Sequence, residues 1–127
     1  MAESPSVKFS SFAAVFTVKD VAQAIDFYTQ KLGFKIEFKY GEPVQYAAVE
    51  RDQVSIHLMP VSQSPTTLGV SSVYVFTGDV DGVDRDLRGR GCAIEMAPKD
   101  LPYGMREMSV RDLDGNRLSF GQPMPRQ

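Results

Sequence analysis

Few residues of this 127-residue sequence offer acid–base or nucleophilic chemistry by type and position. His57 is the single histidine and Cys92 the single cysteine, so neither a multi-histidine metal cage nor an intrachain disulfide can form. His57 could act as a general base or donate a hydrogen bond to a ligand; the alternative is a half-buried strand histidine bonded to a neighbour. Cys92 lacks a motif that would activate its thiol, and we expect no catalytic role for it.

Aromatic and acidic side chains indicate binding instead. Tyr74 and Phe76 alternate onto one face of a predicted strand, and Phe38 is a further candidate. Aromatic-lined concave faces are typical of small-molecule sites, although packing in a dimer interface would use the same residues. Alternation places Glu107 opposite Met108. There its carboxylate could hold a cationic ligand or form a salt bridge on the strand surface.

Two successive sets of strands and a helix must position these residues. Asp20 and Asp79 stand where each predicted helix begins, and apolar residues follow at helical spacing from Val21 to Leu32 and from Val80 to Leu87. A connector rich in Ser, Thr and Pro occupies 60–70. The predicted strands cover residues 12–18, with Phe12 facing the helix, 34–40, 46–51, 53–59, 71–77, 93–96, 105–111 and 116–120.

The order strand, helix and three strands therefore occurs twice. The strings FTVKDV from Phe16 and VFTGDV from Val75 mark equivalent points, which indicates an internal duplication of about sixty residues. We predict one domain over 1–127, with a first module at about 10–60, a linker at about 60–70 and a second module at about 71–121.

Composition excludes several classes of function. The chain is 43% hydrophobic and 24% charged, with a net charge of -2 and a pI near 5.3. It has no Lys/Arg cluster, so we expect neither nucleic acid nor an anionic membrane surface as a partner. The stretch Met1 to Pro5 has no apolar segment typical of a secretory leader, and no apolar run is long enough to span a bilayer. We therefore expect a cytoplasmic protein.

Several motifs resemble those of the vicinal oxygen chelate superfamily. Val18-Lys19-Asp20-Val21, Ile25-Asp26-Phe27-Tyr28 and Leu32-Gly33-Phe34 are similar to its first module. The string from Tyr103 to Glu107, followed by VRDLDGN from Val110 and Leu118-Ser119-Phe120, resembles bleomycin-resistance and glyoxalase-like members most. The resemblance implies an α+β fold of two βαβββ modules, in which a curved, U-shaped mixed sheet carries helices on its convex side. It also implies a homodimer whose cavities use both subunits.

The resemblance further implies four metal-ligand positions. They correspond to Ala13, His57, Ser72 and Ser119 of this sequence, and period-two alternation places Ala13, His57 and Ser72 on the concave side as well. Alanine offers no donor, and two hydroxyls beside one imidazole are a poor site for a divalent cation. We therefore predict that no metal or other cofactor is bound.

Three functions remain open. The first is a small-molecule binding protein of the bleomycin-resistance type, which sequesters an antibiotic-like or other ligand and makes no bond. Its predicted ligand contacts are His57, Tyr74, Phe76, Glu107, Ser72, Ser119 and Phe38, and it has no catalytic residue. The alternative is a glyoxalase-like lyase or isomerase that works without metal or with a weakly held one. The third is a non-catalytic module whose dimer surface serves assembly.

Overall fold

The same order of elements occurs twice in the computed structural model, which describes residues 6–125. The predicted α+β class, with two βαβββ modules, is confirmed. The first module contains β1 (Ala14–Val18), α1 (Val21–Lys31), β2 (Lys35–Tyr40), β3 (Tyr46–Arg51) and β4 (Val54–Pro60), followed by a 3₁₀ turn at Val61–Gln63. The second contains β5 (Ser72–Phe76), α2 (Val80–Gly89), β6 (Met96–Asp100), β7 (Met105–Arg111) and β8 (Arg117–Pro123).

Both helices begin at the predicted caps. The Asp20 carboxylate accepts a hydrogen bond from the amide of Gln23 at 3.0 Å, and that of Asp79 accepts one from the amide of Gly82 at 2.9 Å. Each bond satisfies an amide that has no partner within the first turn of its helix. After α1 the chain reverses at Gly33, whose φ of 73° lies in the left-handed region that glycine adopts without strain.

Each module forms one four-stranded mixed sheet. The strand orders are β1-β4-β3-β2 and β5-β8-β7-β6. In each sheet the first strand lies parallel to the last strand of its module, and the other pairs are antiparallel. The two edge strands that begin the modules, β1 and β5, are in contact with each other.

Some predicted strand boundaries are wrong. Phe12 lies outside β1 and is 84% exposed, so it does not face the helix. The strand predicted at 93–96 begins only at Met96 and continues to Asp100. All six residues of β2 are exposed, so this edge strand has no protected face. The last strand extends beyond Phe120 to Pro123.

The helices cover one face of each sheet, and the buried residues form one cluster that both modules share. The predicted stripe of α1 is buried from Val21 to Leu32, as are Val80 and Leu87 of α2. Phe16, Ile56 and Leu118 contribute the buried faces of their strands. Removal of this apolar surface from water stabilises the fold.

A buried polar network joins the modules. Tyr28 of α1 donates its hydroxyl hydrogen to Asp112 at 2.8 Å, and the side-chain amide of Asn116 donates to the carbonyl of Thr17 at 2.9 Å and to Asp112 at 3.1 Å. Asp112 also accepts the amides of Asp114 and Asn116. The DLDGN string therefore attaches the β7–β8 turn to the first module.

None of the helices within residues 6–125 is both long and apolar enough to cross a membrane. Cys92 is buried, and burial raises the pKa of its thiol, which disfavours the reactive thiolate. The prediction made for Met1 to Pro5 lies outside the described residues.

Candidate functional site

Each sheet has one face that the helices leave uncovered, here called the open face. In β4, Ile56 and Leu58 are buried in the core whereas His57 between them is only half-buried. In β5, Val73 packs against the core whereas Tyr74 points to the opposite side and is 39% exposed. This alternation is the period of two that a strand imposes on its side chains.

The open face of the first sheet carries an aromatic cluster around His57. The hydroxyl of Tyr46 lies 2.9 Å from Nδ1 of His57, and the two rings meet edge to face at 5.5 Å. Phe38 stacks on Tyr46 at 6.1 Å and meets His57 edge to face at 5.7 Å. Ala48 pairs with both Phe38 and His57 across the strands and is fully buried. The small alanine leaves room for the rings above it.

A cavity of about 790 Å³ lies beside His57. Phe12 and Ala13 form one side of it, and Ser55 lines it together with His57. Its charged lining residues are Glu37, Glu50 and Asp52. The cavity is therefore acidic and partly apolar.

The open face of the second sheet carries a cluster of two tyrosines on one carboxylate. The hydroxyls of Tyr74 and Tyr103 donate to the same oxygen, Oε1 of Glu107, at 2.8 Å and 2.6 Å. Phe76 lies 5.1 Å from the ring of Tyr74 and is 75% exposed. Partial desolvation, and then the hydrogen bond to the Glu107 carboxylate, raise the pKa of Tyr74 to about 12.

Gly121 makes room for this cluster. A Cβ at this position would stand 2.5 Å from Cζ and 2.8 Å from Cε1 of Tyr74, and closer still to the hydroxyl. The ring of Tyr74 therefore lies across the β8 backbone, where Glu107 is the strand partner of Gly121. A glycine inside a strand often marks such a close approach.

The other end of this open face is an ion-paired cluster. Glu95 accepts hydrogen bonds from Arg117 at 2.9 Å, from Ser109 at 2.8 Å and from Arg111. These donors, with Arg117 contributing most, lower the pKa of Glu95 to about 2. Ser72 pairs with Arg117 in the sheet register, and thus lies at this end.

Comparisons with known proteins agree with this architecture. The family model of the Glyoxalase/Bleomycin resistance protein/Dioxygenase superfamily matches residues 11–120. The chain belongs to this superfamily. No curated protein matches it significantly.

Solved structures of the superfamily's fold resemble this chain over most of its length. TioX from Micromonospora sp. ML1 is 20% identical with a TM-score of 0.77, over 91% of this chain and 100% of that one. A glyoxalase/bleomycin resistance protein/dioxygenase from Nocardioides is 19% identical with a TM-score of 0.73, over 96% and 91%. TnmS3, an antibiotic binding protein from Streptomyces sp. CB03234, is 27% identical with a TM-score of 0.67, over 92% and 99%.

The residues at the four positions where the resemblance implies metal ligands do not fit a metal centre. Ala13 directly precedes β1, and His57 lies in β4 of the first sheet. Ser72 and Ser119 lie in β5 and β8 of the second sheet. Together they supply one imidazole and two neutral hydroxyls, a weak donor set for a divalent cation. Among residues 6–125, no three His, Cys, Asp or Glu side chains group closely enough to hold a metal ion.

The structure arranges the seven predicted contact residues in two groups. Phe38 and His57 belong to the first open face, whereas Tyr74, Phe76 and Glu107 form the second cluster. Ser119 pairs with Tyr74 in the register, and Ser72 lies toward the Glu95 end. The sequence analysis assigned neither Tyr46 nor Tyr103 to a site. It also missed Gly121, because the predicted last strand stopped at Phe120. The one sequence signal for Gly121 is its position directly after the predicted strand at 116–120.

Proposed function

We propose that this protein binds and sequesters a small organic molecule on its open faces without transforming it. The observation that carries the proposal is the pair of exposed aromatic clusters, each built around one polar group, His57 in the first sheet and Glu107 in the second. Aromatic side chains that converge on a few polar groups are the usual lining of a small-molecule site.

We propose further that a homodimer completes the binding cavity. Phe76 is 75% exposed, Tyr40 69% and Tyr103 65%, and exposed aromatic groups of this size are typical of surfaces that a partner or a ligand covers. In a symmetric pair, each open face can be set against an open face of the second copy. Both clusters would then line a shared cavity.

Two observations support an antibiotic-like ligand and binding without metal. TnmS3, at 27% identity, is an antibiotic binding protein. The residues at the superfamily's metal positions here include an alanine and two serines, which cannot replace imidazole or carboxylate ligands. Binding by rings and hydrogen bonds needs no such ligands.

Calorimetric titration with a panel of antibiotics that includes bleomycin tests this proposal. We expect saturable binding of at least one compound, which Phe38→Ala or Phe76→Ala weakens. Leu113→Ala is the matched control, because Leu113 is a 59% exposed apolar residue at the β7–β8 turn, away from both clusters. No saturable binding across the panel, or equal losses in the control, contradicts the proposal.

The second candidate is a glyoxalase-like lyase or isomerase. It rests on the Tyr46–His57 pair, since a tyrosine hydroxyl 2.9 Å from Nδ1 of His57 can fix one tautomer of the imidazole. Within residues 6–125 the other nitrogen, Nε2, has no hydrogen-bond partner. Elemental analysis, and a comparison of turnover with that of His57→Ala, decide between the two functions. Only the enzyme is expected to show near-stoichiometric metal, or turnover that the substitution abolishes.

A further inference from the structure

We propose that Glu107, Tyr74 and Tyr103 form a subsite for the positively charged group of the ligand, and that Gly121 holds this subsite in shape. The inference rests on the proposed function and adds the chemical class of the ligand: an organic cation, such as a protonated or quaternary amine, on an aromatic or apolar framework.

The hydrogen bonding of Glu107 is asymmetric. Both phenols donate to Oε1, and Oε2 receives no hydrogen bond from any residue within 6–125. Two neutral donors leave the full negative charge on the carboxylate, with one oxygen available to a charged donor. The rings of Tyr74, Tyr103 and Phe76 stand around it and are exposed, and aromatic faces attract cations. An amine nitrogen therefore finds charge and ring faces together.

The charged groups around the cluster leave this preference intact. Lys99 of β6 is the strand partner of Glu107, but the two side chains form no ion pair within the described chain. Arg111 and Arg117 are both bonded to Glu95 at the opposite end of the sheet. Glu107 is thus the carboxylate that two open-face tyrosines share. No arginine among residues 6–125 forms an ion pair with it.

The first open face has the same sign of charge. The cavity beside His57 is lined by Glu37, Glu50 and Asp52, and its lining within residues 6–125 includes no lysine or arginine. A cationic ligand is therefore favoured at both open faces, whichever of them its framework covers.

Gly121 is the positioning residue of the subsite. Because a Cβ would overlap the phenol of Tyr74, any larger residue forces that ring away from Glu107. The ring is the end of a side chain rather than backbone, so Gly121→Ala displaces Tyr74 while the sheet remains folded. Glu107 then loses one of its two phenol donors.

Fluorescence and calorimetric titrations with three dyes that each contain a fused three-ring core test the inference. Proflavine is a planar cation near neutral pH, acridone is neutral and fluorescein is anionic. We expect the order proflavine, acridone, fluorescein in affinity. Glu107→Gln should weaken proflavine by about tenfold, the loss of one charge-assisted contact, and leave acridone unchanged. Lys99→Gln should strengthen proflavine binding, because it removes the positive charge of the residue that pairs with Glu107 across the strands.

Gly121→Ala should weaken proflavine and lower the pKa of Tyr74, which a merely structural glycine would not do. Gly78→Ala is its matched control, since a Cβ there would have no atom of residues 6–125 within 4 Å. An affinity that does not depend on the charge of the probe, or that is highest for fluorescein, overturns the cation subsite. The proposed function is not affected by either result. Binding of none of the three probes also overturns the subsite. Only if the antibiotic panel fails as well does the proposed function fail with it.

Discussion

Tyr74 reports on the electrostatics of the second open face through its own ionisation. Its hydroxyl lies 2.8 Å from the Glu107 carboxylate, and phenolate formation would place two negative charges side by side. Partial desolvation and this neighbour together raise the pKa of Tyr74 to about 12.

Replacement of Glu107 should therefore be visible in a tyrosine titration. In Glu107→Gln we expect the pKa of Tyr74 to fall from about 12 toward its ordinary value of 10, measured by ultraviolet difference absorbance. Tyr74→Phe assigns the transition, because it should remove this titration altogether. Glu50→Gln, on the other sheet, is the control and should leave the value unchanged. An unaltered Tyr74 titration in Glu107→Gln would contradict the contact.

At the scale of residues, alternation along the strands was informative where one face is buried. It placed His57 and Tyr74 on the uncovered faces and predicted which side Glu107 takes, all of which the structure agrees with. It could not show that Tyr46 bonds His57 or that Gly121 admits Tyr74. These contacts cross between strands, and their partners depend on register, which single-strand patterns do not contain.

The connections between elements depend on a small number of buried polar contacts. Helix α1 is attached to the β7–β8 turn by the hydroxyl of Tyr28, which is fully buried and donates to Asp112. Burial, with Asp112 adding to it, raises the pKa of Tyr28 well above its ordinary value. The segment from Asp112 to Asn116 of the family-like string thus has a structural role in this chain rather than a place on an open face.

Tyr28→Phe should lower the free energy of unfolding by about 1 to 3 kcal/mol, the cost of removing one partner from a buried hydrogen bond. Denaturation in guanidinium, followed by circular dichroism, measures it. Tyr40→Phe is a suitable control, because Tyr40 is 69% exposed and its change should be near zero. Equal stability of Tyr28→Phe and the parent would refute the proposed attachment.

The ion pairs of Glu95 predict that the stability of the fold depends on pH. The pKa of Glu95 is lowered from 4.5 to about 2 in the folded chain, so the folded state binds a proton less readily than the unfolded state. The stability it contributes is complete above the unfolded value and is lost as the pH falls from about 4.5 toward 2. Denaturation midpoints across this range should fall less steeply in Glu95→Gln than in the parent, and parallel curves would contradict the assignment.

At the scale of elements, the largest error in a strand boundary lies at a sheet edge. Strand β6 was expected at 93–96, but pairing with β7 selects Met96 to Asp100, a segment with Pro98 that has weak β-propensity of its own. Proline is tolerated there because β6 is an edge strand. The helices were predictable because caps and apolar stripes are local signals, whereas edge strands are defined by their partners.

The whole molecule combines one shared core with two uncovered sheet faces. Buried residues of both modules form a single cluster. The single domain over 1–127 stays a prediction. The open faces contribute nothing to that core. Their exposed rings and carboxylates are instead available to a ligand and, as we propose, to a second copy.

Native mass spectrometry of the protein saturated with a compound from the binding panel tests most directly whether a dimer binds the ligand without transforming it. One spectrum reports the number of chains, the number of ligands and the metal content. We expect a species of twice the 14.1 kDa chain mass that carries chemically unaltered ligand and no metal. A spectrum that shows bound divalent metal, or ligand whose mass has changed, would contradict binding without transformation. A single chain that holds no ligand would contradict the shared cavity and the binding alike.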